Sequence, residues 1–69
     1  MIKQQISNFL IKERKSRNIS QQKFSEILDI HPNYLGGLER QERNPSIELI
    51  QKIALKLNRT PKIKFDELK

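Results

Sequence analysis

Pro32 is the residue that most limits how this chain can fold. A proline ring fixes φ and removes the backbone N–H, so proline belongs in the first turn of a helix and not in its interior. It also steers the residue before it, His31, away from helical dihedrals and into the extended backbone of an N-cap position. A helix is therefore expected over residues 32–40, with Leu35 and Leu38 on its buried side and Asn33, Gly36, Gly37 and Arg40 on or near its outer face. Upstream, Ser20 can cap a helix over 21–28 that carries Phe24 and Leu28 four apart on its inner side. Lys23 stands where a capping box needs Glu or Gln, so Ser20 caps alone. Asp29 falls where the chain leaves that helix, a place glycine usually fills but where Asp tolerates left-handed backbone, and Ile30 plugs the turn.

Two short helices separated by a tight break, then a polar loop Gln41-Glu42-Arg43-Asn44-Pro45, make the pattern of a helix-turn-helix, whose second helix enters the major groove of DNA. An outer face meant only for water would rarely carry two adjacent glycines. The rest of the chain is compatible with that reading. At 69 residues it makes one small domain, close to the lower size limit for independent stability, so dimerisation would help it. Fourteen Lys and Arg against eight Asp and Glu give a net charge of +6, which favours a polyanion, nucleic acid first and an acidic membrane surface second. A merely soluble basic protein is the plainer alternative on charge alone. There is no cysteine for a disulfide or thiolate metal site, no apolar run that spans a bilayer, and no signal-peptide core in MIKQQISN. A cytoplasmic protein is expected.

A first helix over 2–17 carries Ile2, Ile6, Phe9 and Leu10 at helical spacing, and Lys12, Arg14, Lys15 and Arg17 near its end suit the helix dipole. Asn18 can turn the chain in left-handed backbone, and Ile19 is expected in the core. Ser46 caps a fourth helix over 47–58, with Glu48 in its first turn and Ile47, Ile50, Ile53, Ala54 and Leu57 as its inward stripe. Leu49 and Leu55 fall off that stripe and form a candidate dimer patch. Beyond it Ile63 and Phe65 alternate with lysines as in a strand, whereas Phe65 and Leu68 suit a helix; a short helix over 62–68 is favoured, with Ile63, Phe65 and Leu68 as further interface candidates.

The residues Ser20-Gln21, Phe24-Ser25, Tyr34-Leu35, Leu38-Glu39-Arg40 and Arg43-Asn44-Pro45-Ser46 resemble the lambda-repressor-like, Xre/Cro family of regulators over roughly residues 9–57. Within it, NYLGGLERQERNPSI is similar to controller proteins of restriction–modification systems. The resemblance implies an all-α fold of four to five helices in which Arg14 pairs with Glu39 and ties the first helix to the third. It also implies a phosphate contact for Gln21 at the positive end of the second helix, a fifth helix completing a dimer interface, and an Arg43 close to DNA. Three departures matter. Glu13 replaces an apolar residue, which lightens the packing expected at that end of the first helix. Asn18 and Gln41 each replace glycine, and Gln41 is expected to carry left-handed strain.

For recognition, Pro32, Asn33, Gly36 and Gly37 lie nearest the base edges. Asn33 is the best direct reader, because its carboxamide matches adenine N6 and N7. The glycines have nothing to read with, so they point to close backbone approach or helix packing. That leaves part of the sequence preference to DNA shape, Arg40 and Arg43. His31, Arg40 and Asn44 are candidates for phosphate contact, while Tyr34 divides between packing and a phosphate contact through its hydroxyl; Glu42 has no evident DNA role. The leading expectation is a homodimeric regulator on a near-palindromic operator, a restriction–modification controller first and a phage-type repressor or antitoxin next. A helix-turn-helix adaptor that binds a protein partner is the alternative of another class. No nucleophile–base pairing, metal-ligand spacing or phosphate loop is visible, so no enzyme, cofactor, metal or small-molecule ligand is expected.

Overall fold

The computed structural model describes residues 2–58. They form four helices and no strand: α1 (Ile2–Ser16), α2 (Gln21–Leu28), α3 (Pro32–Glu39) and α4 (Ile47–Leu57). Helices α1, α3 and α4 each end one residue before the boundary read from the sequence. The expected helix over 62–68, with Ile63, Phe65 and Leu68, lies outside the described residues.

Each short helix is closed by local chemistry. Ser20 Oγ accepts the Lys23 N–H at 3.1 Å and Ser46 Oγ accepts the Leu49 N–H at 3.0 Å, caps worth about 1 kcal/mol each. At the other ends, Asp29 and Asn58 adopt left-handed backbone, with φ of 59° and 53°, and Asn18 does so in the turn after α1 at 55°. Asn and Asp visit that region with less penalty than other side chains. Gln41, at φ 64°, has no such allowance.

Helix α3 packs against both α1 and α2, and α2 packs in turn on α4. Where they meet, Ile6, Leu10, Phe24, Leu28, Leu35, Leu38, Ile50, Ile53 and Leu57 form the core, flanked by the partly buried Ile2, Phe9, Ile19, Ile30, Tyr34 and Leu49. Truncating one such buried side chain to alanine costs about 2–5 kcal/mol. Against a net stability of roughly 5–15 kcal/mol for a domain, each of these residues is hard to replace.

Three side chains depart from expectation. Ile47, assigned to the inward stripe of α4, is exposed, because it stands at the first position of the helix, ahead of the turns whose Ile50, Ile53 and Leu57 reach the core. Leu49 instead packs partly against that core, which leaves Leu55, 82% exposed, as the remaining apolar residue of the expected patch. Glu13 does not lighten the end of α1: it is buried, and Arg17 Nη1 donates to both its carboxylate and its backbone carbonyl at 2.9 Å. The four-residue spacing of Glu13 and Arg17 makes that pairing available on a helix.

Candidate nucleic-acid interface

Helix α3 is clamped at its C-terminal end from two sides. Arg14, from α1, donates through Nε to Glu39 Oε2 at 2.9 Å and through Nη2 to Oε1 at 3.1 Å, while its Nη1 donates to the Ile19 carbonyl at 3.2 Å. Gln21, from the start of α2, donates its side-chain amide to Glu39 Oε1 at 2.9 Å. The hydroxyl of Ser7 on α1 donates to the Glu39 backbone carbonyl, one of the carbonyls that a helix end otherwise leaves without a partner. Glu39 is buried, and an isolated buried carboxylate is costly, so these donors make its position tolerable. Gln21, expected to meet a phosphate, therefore commits one amide N–H to this network.

The opposite end of α3 is set by His31. Its backbone is extended, with φ −67° and ψ 138°, and its Nδ1 accepts the Asn33 N–H at 3.0 Å. The sequence assigned the cap position to His31 through its backbone but missed the imidazole as the capping acceptor. With Nδ1 accepting, a neutral ring carries its proton on Nε2. Asn33 and His31 are both exposed, and Pro32 is half-buried between them. A further strut joins the turn to α4, where Lys52 Nζ donates to the Asp29 carbonyl at 2.8 Å.

The two glycines are not on an open outer face. Gly36 and Gly37 are buried, because arginines from the end of the helix and the following loop fold back over them. A Cβ at Gly36 would lie 2.9 Å from Arg40 Nη1, and one at Gly37 would lie 2.8 Å from Arg43 Cγ. Either distance is below ordinary van der Waals contact, so glycine is what lets the arginines lie this close. Arg43 also places its guanidinium 5.7 Å from the centroid of the half-buried Tyr34 ring, within cation–π range. Tyr34 thus packs against the core and carries an arginine on its ring.

Arg40 is held by Glu42. Its Nε and Nη2 donate to the two carboxylate oxygens at 3.1 Å each, and both side chains are 59% exposed. These hydrogen bonds, and then the Arg40 charge, hold the Glu42 carboxyl below its ordinary range, with Arg43 adding to the effect; the same contacts raise Arg40. Asn44 is exposed beside them, and Pro45 is buried at the foot of α4. The surface of α3 therefore presents Asn33 from its first turn and two arginines laid along the rest.

A family model for helix-turn-helix proteins matches residues 10–63. The chain belongs to the helix-turn-helix family. Within that match, α2 and α3 are the paired helices that give the family its name. The helix-turn-helix chain is also similar to Control protein C.SmaI of Serratia marcescens, with 38% identity over 45 residues, 65% of this chain and 54% of that protein. It thus spans about half the length of the curated relative it matches. No solved structure matches it. Among the described residues no group of His, Cys, Asp or Glu is arranged to hold a metal ion, and no helix is long and apolar enough to cross a membrane.

Proposed function

We propose that this protein binds duplex DNA as a homodimer on a near-palindromic operator and controls transcription within a restriction–modification system. The observation that carries the DNA reading is the surface of α3, where Asn33, Arg40 and Arg43 are grouped on a helix anchored from behind by Arg14, Gln21 and Ser7. The setting is supported by the similarity to Control protein C.SmaI. Asn33 supplies paired donor and acceptor for adenine, Arg43 a fork for guanine or phosphate, and His31 an outward Nε2–H for a phosphate oxygen. Two α3 helices related by a twofold axis would enter successive major grooves roughly 34 Å apart.

The test is selection from a randomised duplex library at near-physiological salt, with the oligomeric state measured in the same buffer. The expected result is a short inverted repeat with one-turn half-site spacing, bound by a dimer. Salt-sensitive binding to any duplex, with no motif recovered, would overturn the reading and redirect the search to a protein partner. Arg43→Ala is expected to flatten the preference for selected over random duplex, and an unaltered preference removes Arg43 from the reading set.

A further inference from the structure

We infer that Arg40 reads a guanine in place of the side chain missing at position 36, and that Glu42 is the residue that positions it to do so. The inference rests on the DNA-binding reading above. On that reading position 36 lies on the side of α3 nearest the base edges, yet it carries no side chain. The Arg40 guanidinium occupies that space instead, with Nη1 2.9 Å from where a Cβ would stand. Arg40 is thus brought back along α3 by about one helical turn, from its C-terminal cap to the middle of the groove-facing surface.

The geometry of its ion pair decides which edge it offers. A guanidinium has five N–H donors in a rigid plane. Glu42 takes one from Nε and one from Nη2, which leaves the edge formed by Nη1 and Nη2, with its two parallel N–H groups, without a hydrogen-bond partner among the described residues. Two parallel donors on one edge match guanine O6 and N7, whereas a phosphate can be met from many orientations. A carboxylate fixing one side of the plane therefore biases the other toward a base. Glu42 sits within the same turn of chain as Arg40 and is exposed, so it can keep this grip while the free edge is engaged. Glu42 is a positioning residue, acting through Arg40 without touching DNA.

Gly36 gives an independent handle. A methyl group at position 36 crowds only the far end of the flexible Arg40 side chain and meets Gln21 Oε1 at an ordinary contact distance of 3.5 Å, so Gly36→Ala is expected to fold at least as stably while displacing the guanidinium. The experiment is binding-site selection repeated with Arg40→Ala, Glu42→Ala, Gly36→Ala and the double variant Arg40→Ala with Glu42→Ala. In the wild type, one guanine per half-site should be preferred about tenfold or more. That preference should fall in each single variant, and the double variant should match Arg40→Ala alone. Because removing Glu42 raises affinity for every duplex by deleting a negative charge, the readout is base preference at one position and not affinity. If Arg40→Ala leaves every base preference intact while reducing the salt dependence, Arg40 is a phosphate contact and the inference falls. If the Arg40-dependent preference survives Glu42→Ala, the positioning role falls. A wild type that selects no sequence overturns the regulator reading itself, and this inference with it.

Discussion

Removing Arg14 would leave the buried Glu39 carboxylate with only the Gln21 amide as a side-chain donor among the described residues. Breaking a buried pair by deleting one partner typically costs about 3–5 kcal/mol, because the surviving charge stays desolvated. Arg14 is partly exposed, so the lower end is expected: Arg14→Ala should lose about 3 kcal/mol in denaturant unfolding, with DNA affinity per folded molecule little changed. The Arg40–Glu42 pair is the opposite case. Exposed to water and screened by salt, it is a poor source of stability, and its signature is the titration of Glu42. The carboxyl is held low in the folded chain, so the stabilising contribution is present above the unfolded value and is lost as pH falls through the lower folded one. Followed by NMR, Glu42 should titrate below the model-peptide value of about 4.3, and Arg40→Ala should move it back toward that value.

At the scale of elements, the chain's local punctuation carries most of the information. Ser20, Asp29, Pro32 and Ser46 mark helix ends by cap chemistry that depends on one or two neighbours, and this is why helices α2 to α4 were legible in the sequence. The Arg14–Glu39 partners were legible only through the family resemblance, since nothing local connects residues 25 positions apart. What the sequence did not reveal depends on where long side chains fall in three dimensions: the Ser7 hydroxyl at the end of α3, Lys52 reaching back to the turn, and the arginines covering Gly36 and Gly37. Spacing gave the glycines an outer position, but arginines folded back from the end of α3 and its following loop buried them. The same loop holds Gln41 at φ 64°. Left-handed backbone costs a non-glycine residue roughly 1–2 kcal/mol, while a glycine adds about 0.4–1 kcal/mol of unfolded-state entropy. Gln41→Gly should therefore stabilise the domain by roughly 0.5–1 kcal/mol, measurable as a higher denaturation midpoint with an unchanged slope. No gain would mean that contacts of the Gln41 side chain offset its strain.

For the molecule as a whole, charge and size pull in opposite directions. A chain of 69 residues with a net charge of +6 is attracted to DNA and repelled by its own copy. A stable dimer buries roughly 1,200–2,000 Å² in total, and Leu55 on α4, 82% exposed, is the described apolar residue most open to such an interface. Salt should therefore act in two directions. By screening like charges it should tighten self-association, while by reducing the gain from counterion release it should weaken DNA binding. Sedimentation across a salt series in the absence of DNA, beside duplex titrations in the same buffers, separates the two effects. Burying a leucine contributes about 1.5–3 kcal/mol, and the twofold axis of the proposed homodimer counts it twice, so Leu55→Ser should weaken that dimer at least tenfold at every salt concentration while leaving helicity and half-site binding intact. A dimer untouched by that substitution would place the interface away from the exposed face of α4. A self-association that weakens with salt would show that it rests on charge complementarity and not on the apolar surface of Leu55.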